Sequence, residues 1–514
     1  MSRSAVQPVT VSPMDVHNQT LVANLHPPGW VNPKPAERYD LVVIGAGTAG
    51  LVTAAGAAGL GAKVALIEKH LLGGDCLNVG CVPSKSVIRA SRVYAEIRDA
   101  QQFGIRVPLA EVEVDFPTVM ARMRRLRASI SPHDSVQRFQ KLGVDVFLGK
   151  GHFSGANTVE VAGETLRFKK AVIATGARAA HPAIEGLSKA GYLNNETVFS
   201  LTERPQRLAV IGGGPIGCEL AQAFRRLGCQ VVLFHQGSHI LDREDAEAAG
   251  IVQEAFFREG IQLVLSSQVV QVSKNNGEKL IKYKVKDQEQ TIVVDEILVG
   301  AGRAPNVESL NLEAVNVKYD QKRGVQVNDY LQTTNPRIYA AGDICMDWKF
   351  THAADAAARI VIKNTLFSPL GLGRSKLSSL VMPWATYTDP EIAHVGLYEH
   401  EAQQQGIAVS TIKIPFNTVD RAITDSEEAG FVKVLHKQGS DQIVGATIVA
   451  RHAGELISEI TLAMVSKRGL NTIAGVIHPY PTQAEAIKKA ADAYRRTLLT
   501  PRTQRFLKLI ARLS

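Results

Sequence analysis

Two segments of the chain share one order of apolar and glycine-rich stretches. Residues 39–68 contain a short apolar run, a glycine turn, a helical stretch and a second apolar run that ends at Glu68. Residues 207–234 repeat this order. A strand that turns into a helix and leads to a parallel strand is the unit of a dinucleotide-binding fold. The pattern therefore predicts two separate dinucleotide sites.

The two ends of the chain have different patterns. Between residues 379 and 495, strand-like runs precede helical stretches, which predicts an α+β domain. Residues 1–37 form an extension that ends in a loop-like, proline-rich stretch. Residues 496–514 are basic, with Phe506 and Ile510 at helical spacing. We expect a surface helix there, and a helix that lies on a membrane is the less favoured alternative.

The first glycine turn has the spacing that binds a pyrophosphate. Gly45 permits the tight turn, Gly47 lets the backbone approach the phosphates, and Gly50 allows close packing of helix on strand. Glu68 follows Gly45 by 23 residues, where a carboxylate can accept hydrogen bonds from ribose hydroxyls. The alternative is a glycine-rich turn without a ligand, but the strand, helix and acid together favour a dinucleotide.

The second turn contains Gly212, Gly214 and Gly217 in the same arrangement. The position 23 residues after Gly212 is His235 rather than an acid. An acid there is the usual NADH signal, because it hydrogen-bonds the ribose 2′-hydroxyl. We therefore favour NADPH, with His235 and the nearby His239 and Arg243 as the residues that favour it, and keep NADH as the alternative.

Composition narrows the class of protein. The 514 residues carry a net charge of +9 and a pI of about 9.2, which suits anionic ligands such as dinucleotides. The sequence has no zinc-finger spacing and no basic stripe with interleaved aromatic residues, so nucleic-acid binding is not expected. Five cysteines and no secretory signal favour a reducing compartment, and we predict a cytoplasmic protein.

The uncharged stretch 41–62 is long enough to span a bilayer, but its glycines favour a strand, turn and helix.

Two of the cysteines, Cys76 and Cys81, are five residues apart. In a regular helix their Cα atoms would be about 8–9 Å apart, beyond the roughly 7 Å limit for a disulfide. A bond between them therefore requires a distorted helix, and Gly80 allows the distortion. A helix N-terminus would also lower the thiol pKa and favour the reactive thiolate. The alternatives are a metal site and two inert buried thiols.

The stretch around these cysteines resembles a known redox motif. Residues 73–85, GGDCLNVGCVPSK, are similar to the motif of the class I pyridine nucleotide-disulfide oxidoreductases, the family of glutathione reductase and dihydrolipoamide dehydrogenase. Other segments that resemble family motifs follow in order between residues 38 and 490. They are Ala174-Thr175-Gly176, Gly302-Arg303-Ala304-Pro305-Asn306, Tyr339-Ala340-Ala341-Gly342-Asp343 and residues 383–396.

The resemblance implies FAD, NADPH or NADH as electron donor, and a homodimer. It implies that Cys81 faces the flavin, that Cys76 faces the substrate, and that Lys85 pairs with Glu219 near flavin N5. A lysine there stabilises negative charge on reduced flavin, and the glutamate keeps the lysine charged. Besides the two glycine turns, the predicted cofactor contacts are Glu68, Lys85, Gly151, Ala174, Thr175, Gly176, His235, Gly302, Arg303, Gly342 and Asp343.

The predicted fold class is α/β, with two Rossmann-like domains for FAD and NAD(P) and a C-terminal α+β dimerisation domain. Two separate stretches of the chain are expected to form the FAD domain. The predicted boundaries are 1–37 for the extension, 38–185 and 308–378 for the FAD domain, 186–307 for the NAD(P) domain, 379–495 for the dimerisation domain and 496–514 for the tail.

At the substrate position the chain departs from the disulfide reductases. Those enzymes carry a histidine base in an HPTxxE motif that the partner subunit contributes. Alignment of Pro481-Thr482 and Glu485 with that motif puts Tyr480 at the histidine, and tyrosine, with a pKa near 10, is a poor base at pH 7. A different alignment would make His478 the base.

The tyrosine at this position, and Tyr192 in the segment GYLNNET, make this chain similar to the mercuric reductases within the family. Two thiolates beside phenols suit a soft metal ion such as Hg(II), with Cys76 and Cys81 as transient ligands and no structural metal site. The tail lacks the cysteine pair that would deliver metal. The alternatives are dihydrolipoamide dehydrogenase or another disulfide reductase and, in a different class, a flavoprotein scaffold that binds a membrane or a partner through its tail.

Overall fold

The first glycine turn extends from a parallel sheet built from two separate stretches of the chain. In the computed structural model, which describes residues 6–300 and 302–513, strand Tyr39–Ile44 lies at the centre of this sheet. Its residues Leu41, Val42 and Val43 are fully buried, as in strands that are covered on both faces. The parallel strands, in spatial order, are Asp145–Leu148, Val64–Glu68, Tyr39–Ile44, Glu164–Ile173 and Ile338–Ala340, and Thr158–Val161 and Gly151–Gly155 extend the sheet antiparallel from Glu164–Ile173.

The second glycine turn belongs to a smaller parallel sheet, whose central residues Leu208, Ala209 and Val210 are also fully buried. Two such α/β units confirm the predicted pair of dinucleotide-binding folds. The parallel strands, in spatial order, are Gln262–Val264, Gln230–Phe234, Arg207–Ile211 and Glu296–Val299, and an antiparallel sheet of Ser267–Asn275, Glu278–Val285 and Gln288–Val294 packs beside them.

The C-terminal unit is an antiparallel sheet with helices Ala453–Val465 and Glu485–Thr497 packed on it. The predicted α+β class of this part is therefore confirmed, whereas the residue at which each domain begins or ends stays a prediction. The strands, in spatial order, are Pro383–Thr386, Glu391–Gly396, Ile443–Ala450, Phe431–Lys437 and Val409–Pro415.

Helices join these sheets to one another. Thr48–Gly59 and Pro215–Arg226 follow the two glycine turns, and Cys81–Asp99 packs on Pro215–Arg226, which connects the two dinucleotide-binding units. Two short strand pairs are Ala177–Ala179 with Arg303–Pro305 and Tyr319–Asp320 with Gly324–Val325. The other α-helices are Val16–Leu25, Gly74–Asn78, Phe116–Ile130, Val136–Lys141, Leu187–Ala190, Ala246–Arg258, Thr351–Leu366, Glu399–Gln404, Asp420–Thr424, Leu470–Ala474 and Pro501–Ile510.

The N-terminal extension contains a helix that the loop-like sequence did not predict. Asp15 caps helix Val16–Leu25 by accepting a hydrogen bond from Asn18 N at 2.9 Å. Leu21 and Leu25 are fully buried in the core of the first dinucleotide-binding unit. The extension is therefore an integral part of that unit over its described residues, and residues 1–5 lie outside the described range.

The basic tail forms helix Pro501–Ile510, which buries none of its residues against the rest of the chain. The predicted surface helix is thus present, and the last residue of the tail, Ser514, lies outside the described residues. Among residues 6–300 and 302–513, no helix has the length and apolar character needed to cross a bilayer. The uncharged stretch 41–62 is divided between a strand and the 12-residue helix Thr48–Gly59.

We expect Gly50→Ala to destabilise the first unit. A Cβ at Gly50 would lie 1.8 Å from the carbonyl oxygen of Gly45, so strand and helix would have to separate, at a cost of about 1–3 kcal/mol in the free energy of unfolding. Gly59→Ala, at the exposed end of the same helix, meets nothing within 4 Å and should stabilise the protein by up to about 1 kcal/mol. Urea unfolding measures both variants, and equal stabilities would contradict the close-packing argument.

Candidate active site

One cavity, of about 2210 Å³, is bordered by both glycine turns and by the cysteine pair. Gly45 and Gly47 of the first turn, Gly212 and Gly214 of the second turn, and both cysteines line this cavity. In the sequence, the cysteines lie between the two turns. Further lining residues come from the other predicted cofactor segments, namely Glu68, Lys85, Ala174, Thr175, Gly176, Glu219, His235, Gly302, Arg303, Gly342 and Asp343. The structure thus brings most of the predicted site residues to one cavity.

The first turn leaves its helix N-terminus open to the cavity. Gly45 has a φ of +103°, and a Cβ there would lie 2.3 Å from the carbonyl oxygen of Ala174, so only glycine suits the turn. No side chain caps the helix that follows Gly47, and its free N–H groups favour an anion. Glu68 accepts hydrogen bonds from Ala46 N at 2.7 Å and His70 N at 2.9 Å. Its remaining lone pairs can still accept from a ribose.

The second turn has the same construction as the first. Gly212 has a φ of +116°, the helix N-terminus is open, and His235 lines the cavity beside the turn. Its Nδ1 accepts a hydrogen bond from Gly213 N at 3.1 Å, and its Nε2 lies 3.5 Å from Asp242. Arg243, which also lines the cavity, is the available cation. Both predicted contacts, His235 and Arg243, thus lie at the cavity, and their contact with a 2′-phosphate stays a prediction.

The segments 174–176 and 302–306 meet across a short strand pair. Thr175 Oγ1 donates to Asn306 O at 2.9 Å, and Asn306 Nδ2 donates to Thr175 O at 2.9 Å. Arg303 Nε lies 3.2 Å from Asp343, and the same guanidinium donates to Asp75 of the redox segment. Burial raises the pKa of the Asp343 carboxyl, although the charge of Arg303 opposes this effect. Asn306 and Asp75 are site residues for which the sequence analysis assigned no role.

Three predicted glycines act through packing instead of lining the cavity. Gly50 and Gly217 each allow a helix to approach the carbonyl oxygen of the glycine that begins its turn, at 1.8 Å and 1.9 Å from an added Cβ. Gly151 begins a strand, and a Cβ there would lie 3.0 Å from the side chain of Ile67. These glycines shape the first and second turns without facing the ligand space.

The helix around the cysteines is broken, as their spacing requires. Cys76 lies in helix Gly74–Asn78, and Cys81 is the first residue of helix Cys81–Asp99. Between them Gly80 adopts a φ of −133° and a ψ of −111°, and a Cβ there would lie 2.8 Å from Asp75 O. Both cysteines are free thiols in this structure. The break brings the two thiols within hydrogen-bonding distance of each other.

The two thiols have opposite acidities. The hydrogen bond from Cys76 lowers the pKa of Cys81 to about 6; burial opposes this shift, while Thr351 at 3.3 Å and the charge of Lys85 support it. The same hydrogen bond, together with burial, raises the pKa of Cys76. At neutral pH Cys81 is therefore the thiolate and Cys76 the thiol. Thr351 was missed by sequence reasoning, because a single threonine at the start of a helix carries no signal.

Lys85 and Glu219 form an ion pair between the two dinucleotide-binding units. Lys85 Nζ lies 2.8 Å from Glu219 Oε2, and Glu219 is nearly buried. Burial acts to lower the pKa of Lys85, but the charge and hydrogen bond of Glu219 outweigh burial and raise it. Tyr387 completes the group, since its N–H donates to Glu219 Oε1 at 2.9 Å and its ring lies 4.3 Å from Lys85 Nζ.

Three of the predicted catalytic residues are not brought to this cavity within the chain. Tyr192 packs at the edge of the second unit, where its hydroxyl contacts His181. Tyr480 is 70% exposed on the C-terminal unit, and its hydroxyl donates to Asp420 at 2.8 Å. Glu485 begins a helix on the same unit and pairs with Lys489 at 3.2 Å.

Comparison with known proteins now decides the family. The protein-family model described as pyridine nucleotide-disulphide oxidoreductase matches residues 39–358, more than half of the chain. The chain belongs to this family. The dimerisation domain of the same family matches residues 382–491.

Relatives with two different activities are nearly equal in their sequence identity to this chain. Mercuric reductase from Staphylococcus aureus is 34% identical over 92% of this chain and 87% of its own length. Dihydrolipoyl dehydrogenase from Chlamydia muridarum is 33% identical over 88% of this chain and 96% of its own length. The crystal structure of LpdA from Mycobacterium tuberculosis superposes with a TM-score of 0.79 at 27% identity and covers 90% of this chain and all of that one.

Members of this family use FAD and NAD(P)H, and the cavity of this oxidoreductase suits both dinucleotides. The two open helix N-termini, each preceded by a glycine with positive φ (Gly45 and Gly212), form two cradles suited to a pyrophosphate. Glu68 is the candidate ribose contact of the first cradle. Lys85, at the cysteine pair, would hold negative charge on a reduced flavin.

In the reduced oxidoreductase, iodoacetamide should alkylate Cys81 with a pH midpoint near 6, because only the thiolate reacts. Cys76→Ala removes the hydrogen-bond donor and should move this midpoint upwards, towards the ordinary value of about 8.5. Cys76→Ser keeps a donor and should shift it less. Mass spectrometry of the Cys81 peptide against pH measures all three, and one common midpoint would show that Cys76 does not tune Cys81.

Proposed function

We propose that the protein is an NAD(P)H-dependent flavoprotein that reduces a soft metal dication, with Hg(II) as the best candidate. The observation that carries the proposal is the state of Tyr480, which occupies the position of the disulfide reductases' histidine base. Its hydrogen bond to Asp420 raises the pKa of the phenol above its ordinary value. At pH 7 this side chain is a hydrogen-bond donor and cannot serve as the proton acceptor that dithiol oxidation needs.

The environment of His478 supports the alignment that gives the position to Tyr480. The side chain of His478 is 6% exposed, and its Nε2 lies 2.9 Å from Glu459. A base for a substrate at a subunit interface has to reach outwards, as the exposed Tyr480 does. We therefore assign the base position to Tyr480 and a structural role to His478.

The chemistry at the thiols needs no side-chain base. The Cys81 thiolate and the Cys76 thiol bind the dication and displace two weaker ligands, since soft sulfur ligands favour soft metals, and the proton of Cys76 leaves with one of the displaced ligands. Oxidation of the two thiolates to a disulfide releases two electrons, and the metal accepts both to become neutral. FAD, held at the first glycine turn with Glu68 as its candidate ribose contact, would supply the two-electron transfer from NAD(P)H that restores the two thiols. Lys85, held charged by Glu219, stabilises the negative charge next to Cys81.

We further propose that the enzyme acts as a homodimer in which Tyr480 and Glu485 contribute to the partner's site. The family's dimerisation domain, residues 382–491, supports the assembly. Val476 and Ile477, close to Tyr480 in the sequence, are both exposed apolar residues, and contact with a partner subunit would remove them from water.

The holoenzyme should oxidise NADPH in the presence of Hg(II) and thiol, and Cys76→Ala or Cys81→Ala should abolish this activity. Steady-state assays with NADPH and NADH compare Hg(II) with lipoamide, glutathione disulfide and quinones. Faster turnover with lipoamide than with Hg(II) would favour a dihydrolipoamide dehydrogenase. Hg(II) turnover that survives loss of both cysteines would exclude the pair as the electron outlet, and inactivity with every acceptor would favour the scaffold alternative.

Tyr480→His should shift the acceptor preference. It places an imidazole, with an ordinary pKa near 6.5, at the base position and should raise dihydrolipoamide oxidation by about ten-fold or more. Tyr480→Phe is the control, since it removes the hydroxyl without adding a base and should leave dihydrolipoamide oxidation low. An equal effect of both substitutions on dihydrolipoamide oxidation would argue against a proton-transfer role at this position.

Arg243→Ala tests the proposed NADPH preference. Loss of a charged contact to the 2′-phosphate should raise the KM for NADPH by about ten-fold, while the KM for NADH changes little. His235→Ala should instead affect both coenzymes alike, because His235 supports the backbone of the turn at Gly213. Equal KM changes for NADPH and NADH in Arg243→Ala would contradict the assignment.

A further inference from the structure

The N-terminal extension forms part of the wall of the cofactor cavity. Thr10, Val11 and Ser12 line it, together with Glu68 and His70 of the first dinucleotide-binding unit. The family match begins at residue 39, so the family model does not account for this wall.

The segment is anchored beside the predicted ribose contact. His26 Nδ1 lies 2.5 Å from His70 O, and His26 Nε2 lies 3.1 Å from Gln7 O. One imidazole thus joins the start of the extension to the loop that follows Glu68. Residues 10–12 continue from this anchor along the cavity.

A buried cation lies next to this wall. Arg127 lines the same cavity and is 3% exposed. One of its Nη atoms donates to Asn78 O at 2.5 Å and the other to Asn18 Oδ1 at 2.6 Å, and both acceptors are neutral. Within the described residues its Nε has no hydrogen-bond partner. Arg124, three residues earlier, instead pairs with the carboxylate of Asp15 at 2.5 Å.

A buried guanidinium beside neutral groups is energetically costly. Burial, with help from Arg124, lowers the pKa of Arg127 to about 10, so the side chain remains charged at pH 7. Asn78 belongs to the redox segment, and Asn18 belongs to the extension. The arrangement therefore holds a positive charge between the extension and the cysteine loop, at a cavity that binds a pyrophosphate.

We propose that residues 10–12 and Arg127 form a flavin-nucleotide contact of this chain. Residues 10–12 close the cavity next to Glu68, and the charge of Arg127 stabilises the bound pyrophosphate. Asn18 is a positioning residue that orients Arg127 without neutralising it. The inference concerns FAD binding and is independent of the electron acceptor, so its failure and the failure of the metal-reductase proposal are distinguishable.

The first test is FAD release from the purified holoenzyme, followed by the rise of flavin fluorescence after dilution. Arg127→Gln should release FAD about ten-fold faster than the wild type, as expected for loss of a charge-assisted contact. Arg127→Lys keeps the charge and should stay within about three-fold. If the lysine variant releases FAD as fast as the glutamine variant, or if both match the wild type, the charge assignment is overturned.

Asn18→Asp provides a test in which Arg127 is kept. The new carboxylate would pair with Arg127 and neutralise it, so FAD release should accelerate. Asn18→Ser is the matched control, since both substitutions remove the hydrogen bond from Asn18 Nδ2 to Pro13 O, and only aspartate adds charge. Release from Asn18→Asp that is no faster than from Asn18→Ser would overturn the proposal, because a purely structural role predicts no penalty for the added ion pair.

Truncation tests the wall itself. Removal of residues 1–12 keeps Asp15 and helix Val16–Leu25 and should accelerate FAD release. Removal of residues 502–514, which belong to a tail helix with no buried residue, should leave release unchanged. Thermal unfolding of both holoproteins checks that each is folded. Equal release rates from the two truncated enzymes would exclude residues 10–12 from the flavin site.

Discussion

The carboxylate of Glu219 holds the three units of the fold together at the redox centre. One oxygen binds Lys85 of the first dinucleotide-binding unit, and the other accepts the N–H of Tyr387 from the C-terminal unit. Glu219 itself belongs to the helix that follows the second glycine turn. Its side chain is 7% exposed, so loss of Lys85 would leave a buried charge without compensation. Glu219 therefore ties all three units directly to the redox centre.

Close approach of backbones is the second constraint on the cavity. At both turns a helix starts so near the preceding strand that an added Cβ would lie less than 2 Å from a carbonyl oxygen. Backbones also approach closely at Gly80, where one helix has ended, the next begins, and no room is left for a side chain. Because the break starts a new helix at Cys81, the thiolate gains the favourable end of a helix dipole as well as the thiol of Cys76.

Sequence reasoning predicted the parts of the site that depend on local pattern. The glycine turns, the need for a helix break and the two-stretch construction of the first sheet all follow from spacing or from ordered motifs. Tertiary contacts were not predictable in the same way. The ring of His235 turns into Gly213 because the turn presents a free N–H, and Thr351 reaches Cys81 from 270 positions along the chain. The helix of the extension was missed because its ten residues have weak amphipathic character and are stabilised by burial instead.

The thiols and Tyr480 lie on different units of the fold, and this separation explains why relatives with different acceptors resemble this chain equally. The two thiols lie in one cavity of a single chain, together with the charged groups Lys85 and Glu219 beside them. Tyr480, by contrast, lies on an exposed face of the C-terminal unit, where its only role within the chain is a hydrogen bond to Asp420. In the proposed mechanism, a change of one side chain on that face alters the proton chemistry offered to the acceptor and leaves the electron path intact. Similar overall identity to mercuric reductases and dihydrolipoyl dehydrogenases is then the expected result of a shared core, since one exposed side chain contributes little to that identity.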